Sequence, residues 1–167
     1  MEKLYQVVNE KDEIIGHKLR HDIDFKKDIY RISALWLTNS KGEILVAQRL
    51  LTKDKDPGKW GPAAAGTLEE GETYEANVYK EAEEELGLRG INFTIGPKMK
   101  FDLPRRAYCQ WYSGHCDWPV RQFVPQPEEV EKVLWVRVDE LRDDVSTNPD
   151  KYVPSMPTVL DFFHPES

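Results

Sequence analysis

Hydrophobic and polar positions along the chain follow a two-residue period in several short runs and a helical period in one long stretch. LYQVV (4–8) and EIIGHKLR (13–20) are apolar-rich runs separated by the turn-prone cluster Asn9–Asp12, which predicts an N-terminal hairpin. ISALWLT (32–38) and EILVAQRL (43–50) are stronger strands, joined by Asn39-Ser40-Lys41-Gly42, a good hairpin turn. A charged loop, 51–60, closes on Pro57-Gly58, and the small residues Ala63-Ala64-Ala65-Gly66 suit a closely packed strand. Further strands are predicted at 91–96, 98–103, 106–112 and 133–138, a short helix at 139–144, and a terminal helix within 153–163 after Pro157. Between these strands lies one long helical pattern, in which Val78, Tyr79, Ala82 and Leu86 share about 100° of arc, the apolar stripe that packs on a core. Gly87 and Gly90 supply its stop signals. Strands before and after a central helix, with a second helix at the end, predict an α+β sandwich. The chain shows neither repeats nor a linker, so one domain is expected over 1–167, with the hairpin at 1–29.

Composition narrows the class of protein. With 167 residues, 40% hydrophobic and 32% charged, the chain reads as ordinary globular protein. No apolar run reaches the roughly 18 residues of a membrane span, and the first residues resemble neither a signal nor a transit peptide. A cytoplasmic protein with no membrane partner is expected. Cys109 and Cys116 are expected as reduced thiols, since only His115 stands near enough to help complete a zinc site. His17 and His21 have a helical ligand spacing but lie in a strand-like pattern, which favours two surface histidines.

Charge changes the picture more. Residues 66–88, GTLEEGETYEANVYKEAEEELGL, hold one lysine against eight glutamates, a local charge equal to the chain's formal −7. The rest of the protein is formally neutral, which argues against a nucleic-acid polymer as partner. On the helix, Glu81, Glu84 and Glu85 fall on an arc of about 100° beside the apolar stripe, related as i, i+3 and i+4. Like charges at this spacing oppose helix formation by a few tenths of a kcal/mol per pair. A hard divalent cation removes that cost and keeps waters available for a substrate phosphate. A solvated acidic face is the ordinary alternative for a Glu-rich helix.

The ordered spacing decides for metal. Gly66, Glu72, Lys80, Glu81, Glu84, Glu85 and Gly87 fit G-x5-E-x7-[RK]-E-x-x-E-E-x-G. This resembles the 23-residue signature of the Nudix hydrolase superfamily, with Lys80 where the family pattern has Arg. Lys keeps the charge and loses the planar fork that holds two carboxylates at once. The resemblance implies a mixed sheet between helices, the Nudix-type α/β/α sandwich, with the signature (66–88) holding Mg²⁺ or Mn²⁺. It implies Glu81, Glu84, Glu85 and the Gly66 carbonyl as metal ligands, a loop-orienting role for Glu72, and hydrolysis of a phosphoanhydride.

Such hydrolysis needs a base for water and cations for the phosphates. Glu81 and the later acids Glu128, Glu129 and Glu131 are the candidate bases, with Lys80 beside them in the catalytic set. Arg49 and Lys53 are the candidate phosphate cations, and Arg105-Arg106 a second option. Trp60, Trp111, Tyr112 and Trp118 are candidates to stack on a base, an interaction worth about 1–3 kcal/mol. The segment around Trp111 and Trp118 is read as the best exposed loop for this, although aromatics are more often core.

Beyond the signature, GEILVAQRL…DPGKW and EEVEKVLWV resemble the branch containing isopentenyl-diphosphate isomerase. The resemblance lays Arg49 and Lys53 on that enzyme's diphosphate cations and Trp60 on its Trp. It lays Ala65 on the catalytic Cys, and Ile23, Tyr30 and Thr67 on the metal histidines. Tyr108 and Gln110 fall on the paired glutamates. Alanine cannot move a proton, so isomerase chemistry is rejected. The expected function is metal-dependent cleavage of a nucleoside diphosphate-type small molecule, X-P-P. An isoprenoid-diphosphate-processing enzyme and a non-catalytic nucleotide-binding module are the alternatives, and a homodimer is compatible with each.

Overall fold

The computed structural model describes residues 2–166; Met1 and Ser167, the ends of the span expected as one domain, lie outside the described residues. The hairpin forms as expected, from β1 (Leu4–Val8) and β2 (Ile14–Leu19) in antiparallel register. Its turn is set by Asn9, whose side chain accepts hydrogen bonds from the backbone N–H groups of Lys11 and Glu13. β1 then pairs with β3 (Ile29–Thr38), so the hairpin extends the main sheet.

β3 and β4 (Glu43–Arg49) meet only at Thr38–Ile44, beside a turn in which Gly42 takes φ 74°. Beyond that point the two strands take different neighbours. β3 pairs with β6 (Ala64–Thr67) and, in parallel, with β8 (Ala107–His115), which carries β7 (Thr94–Phe101) on its far side. β4 pairs with the short β5 (Trp60–Gly61) and with β9 (Val130–Arg137). The sheet therefore opens into a wedge between β3/β6 and β4/β5.

Helices cover both faces. α1 (Tyr74–Leu86) lays Val78, Ala82 and Leu86, all fully buried, on Leu35, Leu37, Leu45 and Tyr112. α2 (Val138–Thr147) and α3 (Met156–Phe163) pack Leu141, Val145, Val159 and Leu160 on Trp36, Ile44, Val46 and Trp111. This is the α/β/α arrangement. Among the described residues no helix is long and apolar enough to cross a membrane.

Two expectations need correction. Residues 91–103 hold one strand, β7, whose register slips between Ile95 and Lys98 around Gly96-Pro97, so a bulge was read as a break between two strands. Trp111 and Tyr112 lie within β8 and not in an exposed loop. That strand runs between β3 and β7 with both faces covered, so its side chains are buried in both directions.

Candidate active site

The signature segment folds as a loop that enters α1 through Thr73, whose hydroxyl accepts the Ala76 N–H at 3.1 Å. Gly87 ends the helix in the left-handed region, at φ 69°, donating its N–H to the Ala82 and Glu83 carbonyls. Glu72 holds the loop. Its carboxylate accepts from the Glu69 N–H at 2.9 Å, Lys80 Nζ at 2.9 Å and Asn77 Nδ2 at 3.0 Å. Despite partial burial, these donors, Lys80 foremost, keep Glu72 below the usual carboxylate range. From the other side the buried Gln6 of β1 donates to the Glu69 and Glu72 carbonyls, both at 2.8 Å.

Lys80 spans Glu69 at 2.5 Å and Glu72 at 2.9 Å, and stands 3.8 Å from Glu81. The ammonium thus pairs with two loop carboxylates, as the missing guanidinium fork would. Burial works against its charge, but those two acids raise its pKa well above the ordinary lysine value.

Glu81 lies against Gly66 of β6, where a Cβ would stand 2.3 Å from the Glu81 carboxyl carbon. A side chain at this position would have to displace the Glu81 carboxyl group, which occupies its space. Glu85, one turn on, stands beside Glu81 and the Ala65 backbone. Burial raises the pKa of both groups. Glu85 is raised well above its ordinary range, next by the Glu81 charge and further by Glu129. Two adjacent carboxyls, half-buried and with their charge disfavoured by desolvation, are a hard-oxygen donor pair, and they fit a divalent cation.

Glu84 is exposed, and among the described residues no three acids, histidines or cysteines stand as a closed metal set. The convergence expected of three glutamates is therefore a convergence of two. Mutual repulsion favours leaving the third carboxylate in water, and its charge raises the pKa of Glu81 after burial.

Glu85 also lines a cavity of about 180 Å³ in the wedge of the sheet. Its walls are mainly apolar: Ile32 and Ala34 of β3, Ala65, Phe101, Cys109 and Val153. Arg49, Lys55 and Arg105 reach it from three separate segments, and Glu129 faces it from the turn before β9. Among the later acids, Glu128 and Glu131 are exposed, so Glu129 is the one brought to the site.

The other expected residues divide. Arg49 lines the cavity, with its Nε donating to the Lys55 carbonyl at 2.8 Å. Lys53 does not line it, because its ammonium pairs with Glu129. Arg106 is held by Glu10 and Asp102, which leaves Arg105 at the cavity. The tryptophans stand elsewhere. Trp111 is 2% exposed, edge-on to Trp36 and Phe163 in the core. Trp118 packs on Phe123, and its carbonyl accepts the Trp135 indole N–H at 2.8 Å. Trp60 packs on the α2/α3 side, under Lys132. Base stacking on Trp111 is corrected accordingly, whereas Trp60 and Trp118 are half-buried and lie outside the cavity lining. Cys109 and Cys116 are free thiols buried in different clusters, one on each face. Lys55 and Tyr30, both at the cavity, were missed; the wedge that unites them leaves no local pattern in the sequence.

Comparison with known proteins agrees with this geometry. The NUDIX domain family matches residues 29–157. An uncharacterized Nudix hydrolase of Pseudomonas aeruginosa is 32% identical over 143 residues, covering 85% of this chain and 83% of the relative. A prenyl-diphosphate phosphatase of Methanosarcina mazei is 27% identical over 151 residues, covering 87% and 85%. Among solved structures, DR0079 from Deinococcus radiodurans superposes with a TM-score of 0.83 at 21% identity, over 95% of this chain and 97% of that one. The NUDIX domain of Shewanella oneidensis NrtR, solved with ADP ribose, gives a TM-score of 0.65 at 16% identity, over 86% and 92%. Family match, relatives aligned over most of both chains and the signature loop–helix together make this protein a Nudix hydrolase, acting on a nucleoside-diphosphate-linked or pyrophosphate substrate.

Proposed function

We propose that the protein cleaves the phosphoanhydride bond of a small organic diphosphate, X-P-P, with Mg²⁺ or Mn²⁺ held by Glu81 and Glu85. Glu84 completes the set by a rotamer change of its exposed side chain, and the Gly66 carbonyl adds a neutral ligand. The carrying observation is the adjacent carboxyl pair, with Glu81 packed on Gly66, whose unfavourable charge a cation would offset. When bound, the metal neutralises charge gathering on the leaving phosphate and acidifies the attacking water. Lys80 keeps the loop fixed through Glu69 and Glu72. Glu129, at the cavity, and Glu81 are the two positioned to take the proton from water.

For X, a nucleoside is the reading the signature resemblance favours. The cavity beside Glu85 favours a second, an isoprenoid or similar apolar group, because its walls are largely aliphatic and the candidate stacking tryptophans are elsewhere. The Methanosarcina mazei phosphatase supports that reading. The isomerase branch is not supported by the site itself. At its acid/base position stands Ala65, whose side chain has no proton to give or take. Phosphate release from nucleoside diphosphates and from isopentenyl diphosphate, measured in parallel with Mg²⁺, tests both readings. Release from neither would refute the reaction, and isomer interconversion would restore the isomerase.

A further inference from the structure

One cation at the cavity has no role in the account above. Lys55 sits in the loop between β4 and β5, with its Nζ donating to the Tyr30 hydroxyl at 2.9 Å and lying over the Tyr30 ring at 5.4 Å. Among the described residues it makes no ion pair. Asp56 follows it in the chain and lines the same cavity but stays beyond ion-pair distance. Arg49 gives one guanidinium N–H to a carbonyl, and Arg105 lies over the Phe25 ring at 5.6 Å. Neither makes an ion pair among the described residues. Three cations from separate segments thus converge on a largely apolar cavity with no carboxylate bonded to any of them. The acids of the same lining, Asp56, Glu85 and Glu129, bond to none of the three, so ammonium and guanidinium N–H groups are left for a bound anion, which also offsets the repulsion among the cations.

We propose that Lys55, flanked by Arg49 and Arg105, is the seat for the substrate's phosphates, and that Lys53 is not. Lys53 is already paired with Glu129 and does not line the cavity. The inference rests on the hydrolase reading for the identity of the anion as a diphosphate, but not for its binding.

The seat also carries a pH dependence. Burial pushes the Lys55 ammonium down to about 8, with Arg105 and Arg49 adding to it and Asp56 and Cys109 opposing. The other titratable groups at the cavity are Tyr30, raised to about 12 by burial, and the acids Glu85 and Glu129. Lys55 therefore loses its charge as pH rises through about 8, and the seat weakens over that range.

Calorimetric titration of the metal-free protein with inorganic pyrophosphate tests this without requiring turnover. Saturable binding is expected, weakened about tenfold or more by Lys55→Met and kept within about threefold by Lys55→Arg. Between pH 7 and 9 the wild type should lose affinity relative to Lys55→Arg, a comparison that cancels the titration of pyrophosphate itself. Glu85→Gln should keep the binding while losing hydrolysis, which separates the seat from the reaction. Unchanged affinity in Lys55→Met, with its thermal unfolding confirming a folded protein, would overturn the proposal. So would an absence of saturable binding in the wild type, or a constant ratio of the two affinities across the pH range.

Discussion

Gly66 and Lys80 show how much of this site is carried by single side chains, or by the lack of one. A methyl group on residue 66 would stand 2.3 Å from the Glu81 carboxyl carbon, so Gly66→Ala must displace that carboxylate. A loss of about 10²-fold in kcat/KM is expected, with little change in unfolding temperature, because the displaced group borders the site and not the core. Lys80 bonds two loop carboxylates, and a guanidinium satisfies the same pair. Lys80→Arg should stay within about threefold of wild type or above it, whereas Lys80→Met should loosen the loop and lower kcat. A severe loss in Lys80→Arg would show that the ammonium has another task. The signature residues were legible in the sequence because their spacing is fixed by one loop and one helix. Glu129 was legible only as one of three neighbouring acids and Lys55 not at all, since the two lie 74 positions apart and line one cavity only where the sheet splits.

The N-terminal hairpin does more than extend the sheet. At its turn, Asp12 adopts φ 59° and buries its carboxylate to 7% exposure. There it accepts from Arg31 Nε at 2.8 Å, Lys98 Nζ at 2.6 Å and the Tyr74 hydroxyl at 2.9 Å. Arg31 passes the connection to Gln6, and Gln6 to the signature loop. Burial opposes ionisation of Asp12, but the bonds from Lys98, Arg31 and Tyr74 prevail and hold its pKa below the ordinary 3.8. A depressed carboxylate contributes stability that is complete above its unfolded pKa and lost as pH falls through the folded one. Asp12→Ala should therefore cost about 3 kcal/mol in denaturant unfolding at pH 7, and much less near pH 2. Equal costs at the two pH values would contradict the charged network. At this scale β3 and β4 were readable as apolar runs joined by a turn, although neither has an exposed face. Trp111 misled because β8 is buried on both faces, so its aromatics look like a loop cluster yet belong to the core. The pairing of β1 with β3, which brings Gln6 to the site, depends on long-range register that local pattern does not encode.

For the molecule as a whole, the acidic site sets function against stability. Glu81 and Glu85 have pKa values above the ordinary 4.5, chiefly through burial. The folded state therefore binds more protons than the unfolded one as pH rises from 4.5, and the metal-free protein loses stability across that window. Glu85→Gln should raise the unfolding temperature of the metal-free protein at pH 7 while abolishing turnover. A divalent cation should stabilise the wild type more than the variant. Metal binding should also release protons, and tighten as pH rises from 6 to 8, in titrations run in buffers of different ionisation enthalpy. The most direct test of the central claim is initial phosphate release with Mg²⁺ from a panel of nucleoside and isoprenoid diphosphates, comparing wild type with Glu85→Gln. Turnover of at least one diphosphate by the wild type, reduced about 10³-fold or more in a variant that remains folded, is the predicted result. An undiminished rate in Glu85→Gln would contradict the assignment of the carboxyl pair as the hydrolytic metal site.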